Sequence, residues 1–331
     1  MILVTGGTGY IGSHTCVELM ASGEDVLLLD NLCNSQAEVI TRLQQITGKQ
    51  PLFEIGDIRD EALLERLFSQ HPIKAVIHFA GLKAVGESVS EPLRYYDNNV
   101  SGTLTLLQVM ARHEVKALVF SSSATVYGEP EQLPLTENAR LQPTNPYGHS
   151  KLMIEQILLD LCTSDPQWRI GILRYFNPVG AHESGLIGEA PNGIPNNLMP
   201  YIARVARGEA ACLSVFGNDY PTLDGTGVRD YIHVVDLAQG HLKALAYLAD
   251  HAGAEIFNLG TGQGYSVLEM VAAFERASGS KVDYRIGPRR PGDIACCYAD
   301  PSKAESMLHW KAVRGLAVMC EDSWRWAQNS L

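Results

Sequence analysis

The sequence predicts a doubly wound, Rossmann-type α/β protein: a parallel sheet with helices on both faces and a smaller C-terminal α/β unit that holds a substrate. Three observations carry this. Short, nearly continuous apolar runs alternate with longer amphipathic stretches through the first half, a glycine-rich turn follows the first run at once, and an acid closes the second. Strands that are apolar on both faces are what a sheet covered by helices on both sides requires.

Taken in order, the strands are read at 2–5, 26–30, 52–56, 75–80, 117–122 and 170–176, with helices between them. From 177 to 229 the chain is rich in Gly, Pro and Asn, as in Gly193-Ile194-Pro195-Asn196-Asn197 and Asp219-Tyr220-Pro221, so it is read as loops around a short helix at 198–206 that cover a binding cleft. A helix at 234–248 and a strand at 256–259 are expected to return to the sheet, and segments 267–277, 282–286 and 316–326 form the smaller unit. The expected division is therefore 1–176 with 230–262 for a nucleotide-binding domain, and 177–229 with 263–331 for a substrate domain.

With 331 residues, 46% of them hydrophobic, the chain can bury a sizeable core. Its formal charge of −11 repels polyanions and argues against nucleic-acid or anionic-membrane partners, while leaving room for a small phosphorylated ligand held by local cations. Seven cysteines with no CxxC pair read as free thiols of a reducing compartment, which points to the cytoplasm. Met1-Ile2-Leu3-Val4 runs straight into the glycine turn and reads as leaving no room for a targeting peptide. No apolar run approaches the roughly 20 residues that span a bilayer. No HExxH or comparable ligand spacing occurs, so no metal is expected.

The turn Gly6-Gly7-Thr8-Gly9-Tyr10-Ile11-Gly12 satisfies both GxGxxG and GxxGxxG spacing between a strand and an apolar helix. Glycine there allows a tight turn, close approach of the backbone to a pyrophosphate, and close packing of helix on strand. The helix start then offers N–H groups and partial positive charge to phosphates. Asp30, closing the second strand, can accept hydrogen bonds from an adenosine ribose but would repel a 2′-phosphate, and no arginine lies in 31–35 to offset that repulsion. NAD is the expected cofactor.

Tyr147-Gly148-His149-Ser150-Lys151 follows Pro146 at the expected start of a helix running through Leu161, which puts Tyr147 and Lys151 on one face. Ser121-Ser122-Ser123 closes the fifth strand, at the sheet edge where such folds bind ligands. A tyrosine with an ordinary pKa near 10 is a poor base at neutral pH. Lowering it by roughly three units takes about 4 kcal/mol. One ammonium at ~5.5 Å in an effective dielectric of ~20 supplies about 3 kcal/mol, so Lys151 falls short alone and a cationic nicotinamide must make up the difference. Tyr147 is thus expected to be the stronger base beside the oxidised cofactor.

Beyond these motifs, the stretches TGGTGYIG, DNLCNS, HFAGLKAVGES, YYDNNV, SSSATVYG, YGHSK, LRYFNPVGAH, GIPNNLMPY and FGNDYPTLDGTGVRDYIHVVD run nearly end to end. In them the chain resembles the UDP-galactose 4-epimerases of the extended short-chain dehydrogenase/reductase family. The resemblance implies Ser123, Tyr147 and Lys151 as the catalytic set. It implies NAD held by Gly6, Gly9, Tyr10, Ile11, Gly12, Asp30, Asn31, Asn34, Ser35, Asp57, Ile58, Phe79, Ala80, Gly81, Lys83, Asn98 and Phe176 together with that set. It places a UDP-hexose against Lys83, Ser123, Tyr147, Phe176, Asn177, Asn197, Leu198, Ser214, Val215, Phe216, Arg229, Arg290, Asp293 and Cys297, with the two arginines as partners of the diphosphate. The implied reaction removes the sugar 4-OH proton at Tyr147 while the C4 hydride passes to NAD⁺, lets the 4-keto sugar turn, and returns the hydride to its other face. A homodimer built on the helices around 93–110 and 151–161 is also implied.

Two positions depart from the pattern of many relatives. His149 stands where they have Lys, leaving Tyr147 and Lys151 intact, and Cys297 stands where some carry a bulky Tyr beside the hexose. A small side chain there leaves room for a 2-acetamido group, so N-acetylated UDP-hexoses are expected as further substrates. Sugar-nucleotide 4,6-dehydratases share the fold and the Tyr/Lys pair, but place Asp-Glu after the catalytic hydroxyl, where this chain has Ala124-Thr125. A non-catalytic NAD-sensing regulator is the remaining alternative, and the intact Ser123, Tyr147 and Lys151 argue against it.

Overall fold

The computed structural model describes residues 1–190, 193, 195, 197–290 and 292–330, so Ile194 and Asn196 of the loop read at 193–197 lie outside the described residues. Its strands are β1 (Ile2–Thr5), β2 (Val26–Asp30), β3 (Leu52–Ile55), β4 (Ala75–His78), β5 (Ala117–Ser123), β6 (Arg169–Tyr175), β7 (Asn177–Val179), β8 (Leu213–Phe216), β9 (Val228–His233), β10 (Gly253–Leu259), β11 (Gly264–Ser266), β12 (Tyr284–Gly287) and β13 (Cys296–Cys297). Seven of them form one sheet in the order β3-β2-β1-β4-β5-β6-β10, every neighbour parallel. The order reverses between β1 and β4, and ligands of such sheets bind at this switch, beyond the strands' carboxyl ends.

Alternation within each strand explains the continuous apolar runs. Ile2 and Val4 pack with Leu28, Ile77, Val119 and Leu173 under the helices Tyr10–Ala21 and Val234–Tyr247. Leu3 faces the other way, with Leu27, Val76, Leu118, Phe120 and Ile172, under the helices Glu61–Gln70, Gly102–Arg112 and Pro146–Ser164. Both faces are core in β1, β2, β4, β5 and β6, while the edge strand β3 is partly exposed, with Glu54 among its residues.

The second half differs from the expected loops. The segment read as loops around one helix also holds β7, β8 and the start of β9. Strand β9 lies at the centre of a small sheet, parallel to β7 and β13 and antiparallel to β11, while β8 pairs with β12. The charged residues in Val228-Arg229-Asp230-Tyr231-Ile232-His233 hide this strand from any search for apolar runs, because Asp230 and His233 are buried polar groups with partners of their own. The helix Leu198–Ala206 is where the sequence puts it. The returning strand is longer than read, pairing with β6 over its full length from Gly253. A third core joins Met199, Ile202, Val215, Tyr231, Phe274 and Met319.

Candidate active site

At the carboxyl end of β1 the chain turns through Gly6 at φ +68°, with its N–H donating to Leu29 O at 2.8 Å. A Cβ on Gly6 would meet Ala80 N at 2.8 Å, and one on Gly12 would meet Gly6 O at 2.2 Å, so both positions exclude any other residue. Gly9 starts the helix without a side-chain cap, which leaves the first-turn N–H groups directed at the turn. Tyr10 and Ile11 are turned away: the Tyr10 hydroxyl donates to Gly180 O at 2.6 Å and Ile11 packs on the core, so only their backbone faces the turn.

Asp30 closes β2 beside this turn. Its carboxylate accepts from Thr8 N at 3.2 Å, Leu32 N at 2.9 Å and Ser35 Oγ at 3.0 Å, which fixes both oxygens while leaving lone pairs to accept more. Asn31 donates to Asp57 at 2.9 Å, and hydrogen bonds from Arg59 hold the Asp57 carboxyl well below its usual range. Asn34 is exposed in the same loop, and Ile58 is buried behind Asp57. From β4, Phe79 N bonds Thr5 O and Ala80 N bonds Thr5 Oγ1, bringing 79–81 against the glycine turn. Asn98 is buried in a π-helical turn, Tyr96–Ser101, that no sequence pattern announces. A glycine cradle, an uncapped helix start and a fixed ribose-range carboxylate fit a dinucleotide.

Next to this surface the helix Pro146–Ser164 begins, capped by Asn145 accepting from Gly148 N at 2.9 Å. The chain brings Ser123, Tyr147 and Lys151 together as its spacing predicts. Lys151 Nζ donates to Ser121 O at 2.7 Å and lies 4.9 Å from the Phe120 ring centre and 5.9 Å from that of Tyr147. Burial pushes the Tyr147 phenol above its ordinary pKa, against the pull of its hydrogen bond with Ser123. Burial likewise lowers the Lys151 ammonium to about 8, with Glu155 opposing. Ser123 Oγ also accepts from Thr125 N and Thr125 Oγ1.

The remaining candidates gather in two places. Arg290 stacks over Phe216 at 4.7 Å and donates to Asp293 at 3.0 Å, and Arg229 Nη2 lies 3.9 Å from the same carboxylate, so one acid links both arginines. Cys297 stands opposite Arg229 in the small sheet and packs with Phe176, Val126, Tyr127 and Leu135. Asn177 is exposed at the start of β7, and Ser214 Oγ accepts from Arg285. Val215 points into the third core, so it can offer only backbone. Lys83 and Asn197 converge instead on Glu189, at 3.3 and 2.6 Å, with Leu198 beginning the helix behind them. Glu189 was not among the sequence candidates, because an isolated acid in a loop gives no pattern.

The model of the NAD dependent epimerase/dehydratase family matches residues 2–260. The chain belongs to this family. Within it, the chain is 62% identical over 330 residues to the UDP-glucose 4-epimerase of Bacillus subtilis, covering 100% of this chain and 97% of that one. Among solved structures it is similar to the UDP-glucose 4-epimerase of Stenotrophomonas maltophila with bound NAD and formylated UDP-arabinopyranose, at TM-score 0.98 and 53% identity over 99% and 98% of the two chains. The Bifidobacterium longum enzyme in complex with NAD⁺ and UDP gives TM-score 0.96 and 57% identity over 99% and 98%. The family accounts for the Rossmann-type sheet and for the glycine turn at its first crossover.

Proposed function

We propose that this chain is a UDP-glucose 4-epimerase, interconverting UDP-galactose and UDP-glucose through a 4-keto sugar with NAD as its cofactor. The observation that carries this reading is the meeting of Ser123, Tyr147 and Lys151 beside a glycine cradle, in a chain similar from end to end to enzymes of that activity. Gly6, Gly9, Gly12, Asp30, Asp57 and Ala80 would hold NAD, which when bound would supply a reversible acceptor for the C4 hydride. Tyr147 takes the 4-OH proton, Ser123 hydrogen-bonds that hydroxyl and the phenol, and Lys151 stabilises the phenolate that forms. Arg229 and Arg290, linked by Asp293, hold the diphosphate, and Phe216 offers its exposed face to the base. The anchored UDP lets the keto sugar turn without leaving. Incubating the purified protein with UDP-galactose and no added NAD is expected to give UDP-glucose. A 4-keto-6-deoxy sugar would identify a dehydratase instead, and no turnover would remove the reading.

Protonated Lys151 is needed beside Tyr147, and its pKa near 8 means that the ammonium is present below that pH and lost above it. The kcat of the enzyme is therefore expected to fall as pH rises through about 8. A profile flat to pH 10 would contradict the role given to Lys151.

The substrate-facing unit is proposed as 177–229 with 263–331, and the NAD-holding unit as 1–176 with 230–262, the strand β9 crossing between them. Cys297 is buried, its thiol pushed up to about 12, so it acts here as a small neutral side chain next to Phe176. UDP-GlcNAc is proposed as a second substrate. Cys297→Tyr is expected to lower kcat/KM for UDP-GlcNAc about tenfold or more, ~1.4 kcal/mol, while sparing UDP-galactose. Absence of wild-type turnover of UDP-GlcNAc would end this idea.

Val85, Val89, Leu93 and Met153 are exposed on helices that pack side by side, Val85–Ser90, Pro92–Tyr95 and Pro146–Ser164, and Leu104 is exposed on Gly102–Arg112. That apolar face supports a homodimer. None of the described helices is long and apolar enough to cross a membrane, and all seven cysteines are free, which supports the cytoplasm as the compartment.

A further inference from the structure

Two of the most deeply buried charges in the chain belong to neither the cofactor surface nor the sugar surface. The side chains of Glu155 and Arg174 are 1% and 2% exposed and pair at 2.6 Å. Arg174 Nε donates to the same carboxylate at 3.0 Å, and Ser122 Oγ donates to it from the neighbouring strand. Arg174 on β6 stands directly opposite Ser122 on β5, so both grip Glu155 from the sheet face that the helix Pro146–Ser164 covers. The guanidinium is completed by Tyr127 Oη at 3.2 Å and Glu137 O at 3.0 Å.

Tyr147, Lys151 and Glu155 are spaced by four along one helix face, and each meets one of three consecutive serines. Lys151 bonds the Ser121 carbonyl and Glu155 bonds the Ser122 hydroxyl, and Ser123 is the group that pulls the Tyr147 phenol down against burial. A buried ion pair is a poor source of net stability, because desolvation of both ions offsets their attraction. Stability therefore gives no reason for charges at this rung rather than a packed apolar pair.

We infer that Glu155, fixed by Arg174 and Ser122, is a positioning residue for the reaction: it sets the helix on β5 one turn beyond Lys151, so that the ammonium is held against the Ser121 carbonyl beside Tyr147. This rests on the reading of Tyr147 and Lys151 as the proton-transfer pair. Of the groups on the elements packed around Lys151, His78 on β4 is neutral, burial holding it near 3 with the Lys151 charge adding to the effect. Tyr175 on β6 is raised by burial and stays protonated. Glu87 turns to Arg94 and Tyr95, Asp97 to Arg59, and Glu255 on β10 to Lys303. Among the described residues, Glu155 is the carboxylate whose field opposes the desolvation of Lys151.

The test uses the full-length enzyme as the double variant Glu155→Gln/Arg174→Met, which removes both charges together and keeps an acceptor for Ser122, with Glu155→Gln alone alongside. Folding is checked by urea titration, and kcat, KM and the pH profile are read on UDP-galactose. The expected result is a folded double variant with KM nearly unchanged, kcat about 10²-fold lower, and the alkaline limb moved down by roughly one pH unit. A folded double variant with wild-type kcat and limb would reduce the pair to a structural role and overturn the inference. Failure of the underlying reading is separate, since it would appear as no epimerisation by the wild type.

Discussion

Replacing Tyr147 with Phe is expected to lower kcat by about 10²–10⁴-fold, the usual range for loss of a general base or acid. Phe keeps the ring against which Lys151 rests at 5.9 Å, so packing and the ammonium stay in place and only the reacting oxygen is removed. The protein's own surroundings raise the phenol by burial, and Ser123 pulls it back down. Ser123→Ala should therefore cut kcat as well, by less than Tyr147→Phe, because it removes one hydrogen bond and leaves the acceptor of the proton. Steady-state kinetics on UDP-galactose, with circular dichroism to check folding, decide the point. A loss below tenfold for Tyr147→Phe would take the proton transfer away from this residue.

Arg174→Met is expected to destabilise the chain by about 3–5 kcal/mol, because it leaves the Glu155 carboxylate buried without its partner. It also strips the cation that rests 5.0 Å from the Tyr127 ring centre, while Tyr127 keeps its bond to Asn258 at 2.6 Å. Adding Glu155→Gln to Arg174→Met should recover most of that loss, since the penalty comes from an unpaired charge and not from a lost volume. Urea titrations of the two variants measure this. An Arg174→Met variant within about 1 kcal/mol of wild type would mean that water reaches the pair.

Much of this architecture is written plainly in the residues. Five of the first six strands follow from apolar runs because both sheet faces are covered there, β3 being the partly exposed edge, and the glycine turn follows because Gly6 and Gly12 leave no volume for a Cβ. Spacing by four brings Tyr147 to Lys151 on their helix. The small sheet was hidden for the converse reason. Strand β9 is built from residues whose charges are met by distant partners, as Asp230 is by Thr261, Gly262 and Ala299, and no local pattern encodes a partner roughly 30 or more residues away. The same holds for Arg174: a lone arginine in Ile172-Leu173-Arg174-Tyr175 gives no sign of whether it faces water or a carboxylate. The segment 177–229 was legible only as composition around one helix, whereas Lys151 and Glu155 could have been joined by extending the four-residue spacing one turn further.

The edge strand β10 has a consequence for how the chain acquires its shape. It completes the large sheet beside β6, yet it is made only after the chain has left β6 at Tyr175, built β7, β8 and β9, and come back at Gly253. Joining strands so far apart in sequence must overcome a long loop closure, so this pairing belongs to the slow, late part of folding. Until β10 arrives, the backbone N–H and C=O groups along β6 form an open edge able to pair with another nascent chain. The large sheet is thus not a module that ends where its sixth strand ends; its completion waits on the chain that follows.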